Sequence, residues 1–233
     1  MYEKVWRVLV VSLLILTGAS ADNKKETERV ENAGKVMKEI LNVRDNIPQR
    51  LLDKADCVVV LPSVMKAAFV FGANYGRGVM TCRQGAKFGG HWGATTMMAL
   101  EGANFGFQIG GQATDFVLLL MNDRSAKGVL SSKVKLGADA SAAAGPKGRD
   151  ASAAIDVTFR AEILSYSRAR GVFAGVSLEG STLRPDGSAN KNLYGNEISA
   201  EDIVLKSAVP APACANQLLE TLNAGSPKNK SGG

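Results

Sequence analysis

The residues of this chain best placed to do chemistry are cations. Between positions 124 and 149 stand Arg124, Lys127, Lys133, Lys135, Lys147 and Arg149 against one acid, Asp139, the densest basic stretch in the sequence. Within it, Gly145-Pro146-Lys147-Gly148-Arg149 is a glycine-rich turn. Such a turn exposes backbone N–H groups beside flanking cations, a combination suited to an anion-binding concavity. Lys133, Lys135, Lys147 and Arg149 are therefore candidate anion ligands, with a solvated loop as the plain alternative.

Other chemistries lack their parts. The single histidine, His91, excludes helical zinc-protease motifs and any centre that needs two imidazoles. It sits in Gly-Gly-His-Trp-Gly with no acid or thiol placed by sequence to activate it. Ser177, in Gly-Val-Ser-Leu-Glu-Gly, is one residue off the nucleophile-elbow spacing. The glycine clusters at 72–78 and 106–111 fit neither the dinucleotide fingerprint nor the phosphate-binding P-loop, because no helix starts directly after them. The expectation is a non-enzymatic protein with no catalytic residue, no metal and no cofactor.

The elements that must carry the cations follow from pattern and composition. With 233 residues, 45% apolar and 21% charged, the chain is globular and long enough for one large domain. Residues 1–21 read as a secretory signal peptide: Lys4 and Arg7, an apolar run from Val8 to Leu16, then small residues at Gly18, Ala19, Ser20 and Ala21. Cleavage near Ala21 removes Lys4, Arg7 and Glu3 and takes the net charge from +6 to +5, leaving a basic protein. A periplasmic or secreted location follows, and export argues against a nucleic-acid partner. Of Cys57, Cys82 and Cys214, an odd count leaves at least one unpaired, and apolar flanks favour buried, inert thiols.

Val30, Ala33, Met37, Ile40 and Leu41 recur at helical spacing, and Pro48 breaks the pattern, predicting helices over 25–44 and 48–54. The first mixes acids and bases, which suits packing against a core, although its apolar stripe is the alternative membrane-facing element. From residue 56 the pattern turns to β, with runs at 58–61, 67–71, 78–82, 93–100, 105–109 and 116–120 separated mostly by glycine-containing breaks. A short helix over 123–132, capped by Asn122 or Asp123, follows, then a long hairpin within 153–183, a helix over 213–222 and a disordered tail over 224–233.

Read in order, Ala55-Asp56-Cys57-Val58-Val59-Val60-Leu61-Pro62, Lys66-Ala67-Ala68-Phe69-Val70-Phe71-Gly72 and Gly76-Arg77-Gly78-Val79 form one group of motifs. Gly106-Phe107-Gln108-Ile109-Gly110, Gly137-Ala138-Asp139-Ala140, Gly145-Pro146-Lys147-Gly148-Arg149 and the run Ser165-Tyr166-Ser167-Arg168-Ala169-Arg170-Gly171-Val172-Phe173-Ala174-Gly175-Val176-Ser177 continue it. This ordered set resembles the SYLF domain family, in its exported bacterial type, over about residues 25–205. The resemblance implies a lipid-binding module, associated in eukaryotic members with phosphoinositide membranes and in fungi with actin, and none established as an enzyme. The chain departs from the family at Trp92-Gly93-Ala94-Thr95, where Trp-Ser-x-Pro is common.

The expectation is therefore an α+β protein with a curved antiparallel sheet or barrel-like core, N-terminal helices and a short C-terminal helix in one domain over 22–223. Its expected role is binding anionic phospholipid or phosphoinositide-like head groups at a membrane surface, through Lys133, Lys135, Lys147, Arg149, Arg168 and Arg170. An envelope structural or protein-interaction domain with incidental lipid affinity is the alternative, its protein partner unknown.

Overall fold

The computed structural model describes residues 2–43, 46–68, 71–105, 110–146, 161–169 and 171–231, and of residues 2–21, 66–68, 71–73, 103–105 and 110–112 the backbone alone. Helix α1 (Tyr2–Leu41) and helix α2 (Gln49–Lys54) lead into four long strands, β1 (Cys57–Ala68), β2 (Phe71–Arg83), β3 (Trp92–Phe105) and β4 (Gly110–Leu120). Helix α3 (Asp123–Ser131) follows, then the short strands β5 (Val134–Lys135), β6 (Ala142–Ala144), β7 (Ile163–Ala169), β8 (Val172–Gly175) and β9 (Thr182–Pro185). Three helices close the described chain: α4 (Gly187–Tyr194), α5 (Ala200–Val204) and α6 (Asn216–Gly225).

The strands form one curled sheet in the order β5-β9-β3-β2-β1-β4-β7-β6, with β8 also on β7. Its centre, β4-β1-β2-β3, is a Greek key. All pairs are antiparallel except β6 with β7, so the α+β class and the curved core with helices at both ends stand, with one parallel pair added.

Both faces of the sheet are covered, which explains the uninterrupted apolar run of β1. Val58 and Val60 point toward α1, α2 and α6, where Met37, Ile40, Leu51, Leu52, Leu218 and Leu222 are buried. Cys57, Val59 and Leu61 point the other way, into a core shared with Val129 and Leu130 of α3 and Ile203 and Val204 of α5. Burying each such side chain is worth about 1.5–3 kcal/mol, so the layered arrangement follows from the β1 composition itself.

Three expectations change. Glycines read as breaks lie inside strands: a Cβ on Gly78 would sit 2.0 Å from the Val60 carbonyl oxygen, and one on Gly76 would sit 2.3 Å from Val64. They let β2 pass closely over the bulge in β1 between Val60 and Met65, where Ser63 takes a positive φ. Runs expected as separate pieces, 58–61 with 67–68 and 93–100 with Phe105, are thus single strands. Of the hairpin expected within 153–183, the described residues show β7 with β8, and β9 leaves to pair with β3; residues 153–160 lie outside the described residues.

The inert-thiol expectation is also overturned for two of the cysteines: Cys57 and Cys82 are disulfide-bonded. They are register partners on adjacent antiparallel strands and face the same core, a pairing that strand spacing alone did not reveal. Cys214 stays free and half-buried, and burial pushes its thiol pKa up. The tail expected to be disordered is docked as far as it is described: Ser226 is buried and bonds to Arg83, Trp92 and Asp53.

Candidate functional site

The basic stretch folds into α3, the edge strand β5 and the turn after it. Asn122 caps α3 as expected, its side chain accepting from the Ser125 N–H at 2.8 Å. Ala126, Val129 and Leu130 then face the core, which turns Arg124 and Lys127 outward. In β5, Val134 is buried, so its neighbours Lys133 and Lys135 must point to the opposite, solvent side. Gly137, at φ +84°, turns the chain back, and Asp139 accepts from the Lys135 backbone N–H at 2.8 Å.

Between α3 and β5 lies a cleft of about 230 Å³ that Arg124, Ser132, Lys133, Asp139 and Glu162 help to line. Arg124 is 84% exposed and reaches Glu162 at 3.9 Å, while Lys127 pairs with Asp123 at 2.8 Å. Both acids lie outside the 124–149 window: Asp123 just precedes it, and Glu162 arrives from the start of β7. Two of the four cations described here are therefore balanced. Among the described residues Lys133 and Lys135 have no carboxylate partner for their ammonium groups. Chemically the cleft offers a long exposed guanidinium and the Lys133 ammonium beside two carboxylates, a setting in which an incoming anion competes with Glu162 for Arg124.

The other expected site residues separate. Lys147, Arg149 and Arg170 lie outside the described residues. Arg168 is no free ligand: it bonds the Asp115 carboxylate at 3.0 and 3.1 Å and also reaches Glu39 of α1. Its role is to tie β7, β4 and α1 together, and although partial burial disfavours its charge, the two acids outweigh this and hold its pKa above the ordinary value. Two residues before it, Tyr166 is buried on the same face, stacked on Phe173 with its hydroxyl donating to the Pro146 carbonyl at 3.2 Å.

His91 is exposed in the turn before β3, while its neighbour Trp92 is buried. Among the described residues no group of three metal-ligating side chains converges, and no helix is long and apolar enough to cross a membrane. Sequence reading named Arg124 in the basic stretch without placing it in the site. It missed Glu162 altogether, since only the fold brings residue 162 beside residue 124. A second exposed feature is apolar: Met65 and Tyr75, register partners on β1 and β2, are 56% and 47% exposed.

Comparison with known proteins gives a consistent result. The family described as Ysc84, "Las17-binding protein actin regulator", matches residues 101–225. An SH3 domain-containing protein of Schizosaccharomyces pombe is 36% identical over 203 residues, covering 83% of this chain and 46% of that protein. The SH3 domain-containing YSC84-like protein 1 of Rattus norvegicus is 32% identical over 200 residues, covering 83% and 57%. Protein YSC84 of Saccharomyces cerevisiae is 31% identical over 208 residues, covering 85% and 43%. The chain spans about half the length of the curated relatives it matches.

Proposed function

The chain belongs to the Ysc84 family, the SYLF domain family, and from that premise we propose that it is a non-catalytic binding module whose α3–β5 face docks on anionic lipid head groups at a membrane surface. The observation that carries this reading is the pair Lys133 and Lys135, exposed at the start of the edge strand β5 without acid partners among the described residues. Each such cation near an anionic membrane contributes about 1 kcal/mol, so a few give useful affinity without insertion of apolar groups. A phosphate oxygen entering the cleft would also draw Arg124 from Glu162, since their 3.9 Å contact is long and solvent-exposed. We place the protein in the cell envelope after cleavage near Ala21. The Cys57–Cys82 disulfide supports an oxidising compartment, and the α1 contacts made by Met37, Glu39 and Ile40 lie beyond residues 1–21.

A second reading, a protein-interaction domain, is favoured by the family's description as Las17-binding and by the exposed Met65–Tyr75 pair. The two are separated by Lys133→Gln/Lys135→Gln in co-sedimentation with vesicles of neutral lipid alone or with anionic lipid added. The lipid reading predicts binding to the anionic vesicles that falls severalfold in the double variant with the unfolding midpoint unchanged. Equal binding by both proteins would remove this face from the mechanism.

A further inference from the structure

Residues 226–230 have neither helix nor strand, yet they are held by a dense set of polar contacts at one end of the sheet. The Ser226 carbonyl accepts from both Arg83 Nη1 and Trp92 Nε1, each at 3.0 Å. Its hydroxyl accepts from Arg83 Nη2 at 2.5 Å and donates to Asp53 Oδ1 at 2.7 Å. Three residues on, the Asn229 amide donates to Asp56 Oδ1 at 2.7 Å and to the Phe88 carbonyl at 3.1 Å. Lys230 donates its backbone N–H to the Asp53 carbonyl at 2.8 Å and its ammonium to Asp53 Oδ2 at 2.7 Å. Pro227 and Lys228 face solvent.

The walls hold themselves in place. Arg83 donates also to the Ala55 and Leu52 carbonyls and lies 4.3 Å from the Trp92 ring centre. Asp56 accepts at its carbonyl from the Arg83 backbone N–H, and the adjacent Cys57–Cys82 bond joins the two strands covalently. Gln49 holds Asp53 at 2.7 Å. Without the segment, two donors would still converge on one point between two carboxylates, and leaving such buried groups unpaired is costly.

We propose that this groove between α2, the disulfide-linked ends of β1 and β2, and the start of β3 is a peptide-recognition slot, filled in cis by residues 226–230 and selective for Ser-x-x-Asn-Lys. Recognition uses the hydroxyl, the amide and the ammonium, and leaves the two intervening positions unread. The occupant is anchored at its buried Ser226 end and open at its Lys230 end, whose side chain is 68% exposed, and it exchanges because the whole hold is polar. The pKa of Asp53 fits the same picture: burial raises it, but the bonds from Lys230, Ser226 and Gln49 outweigh burial and hold the carboxyl below its ordinary value.

The test uses the full chain with Trp6→Phe, which leaves Trp92 as the sole indole reporter. Ser226→Ala/Asn229→Ala/Lys230→Ala releases the segment, and a synthetic peptide spanning Gly225 to Ser231 is then added. Release should shift Trp92 emission to the red, the peptide should reverse that shift, and a peptide with alanine at the three read positions should bind at least tenfold more weakly. Adding Asp53→Asn should weaken the native peptide by a similar factor. The chain with its segment intact should not respond, since a tethered occupant acts at an effective concentration of order mM. If the triple variant loses its far-UV spectrum, Asn229→Ala/Lys230→Ala is titrated instead, its weakened tethered segment giving way at a higher peptide concentration than the triple variant would need. Equal binding of native and alanine peptides, or none to the released slot, overturns the proposal.

Discussion

Removing one oxygen from Tyr166 should produce a stability change whose sign depends on pH. The ring is buried and stacked on Phe173 at 5.3 Å, and the hydroxyl has one bond, to the Pro146 carbonyl. Tyr166→Phe keeps the stack and loses that bond, at about 1 kcal/mol near neutral pH, or roughly 2–4 °C in Tm for a domain of this size. Burial pushes the phenol pKa well above its ordinary 10.0. A raised pKa means the native state keeps the proton while the unfolded chain ionises. The stability tied to this tyrosine is therefore complete below pH 10 and is lost as pH rises toward the native value. Each pH unit above 10 costs the parent protein about 1.4 kcal/mol that the variant does not lose. The two stability curves should cross at roughly pH 10.7–11. Urea unfolding of both proteins from neutral pH to pH 11 checks this, and a gap that stays constant across the range would refute the burial argument.

Replacing Cys57 and Cys82 together by serine should lower stability by about 2–4 kcal/mol, measured as a drop in Tm that reducing agent reproduces in the parent; a parent indifferent to reductant would contradict the bridge. Gly78→Ala should abolish cooperative unfolding, because the added Cβ would lie 2.0 Å from the Val60 carbonyl oxygen and 2.7 Å from the Leu61 Cα, backbone that cannot step aside. Mass spectrometry of protein recovered from outside the inner membrane should give an N-terminus near Asp22, and an intact Met1 there would contradict the leader.

Much of the fold was legible because its signals are local. The 3.6-residue stripe from Val30 to Leu41, the proline at 48 and the Asn122 cap mark helices that the structure contains. The continuous apolar run of β1 marks a strand covered on both faces. The short helices α4 and α5 were missed although their caps are present: Asp186 accepts from the Ala189 N–H, Ser199 from the Asp202 N–H, and Gly195 ends α4 at φ +80°. Their few residues carry too little periodicity to register. The candidate site was half legible. The excess of cations is a property of composition, but which of them are free depends on contacts distant in sequence. Glu162 reaches Arg124, and Asp115 with Glu39 takes Arg168 out of service. The glycine-rich β2 misled because glycine serves close approach over a bulge as well as turns.

If the α3–β5 face binds anionic head groups by charge, ionic strength is the most direct probe of that binding. Vesicles containing anionic lipid should be sedimented with the parent protein from about 0.01 M to about 1 M salt, over which the screening length falls from about 30 Å to about 3 Å. Binding should be strong at the low end, decline steadily and be lost at the high end, with vesicles of neutral lipid inert throughout. Binding that persists at the high end, or that neutral vesicles match, would contradict binding by charge.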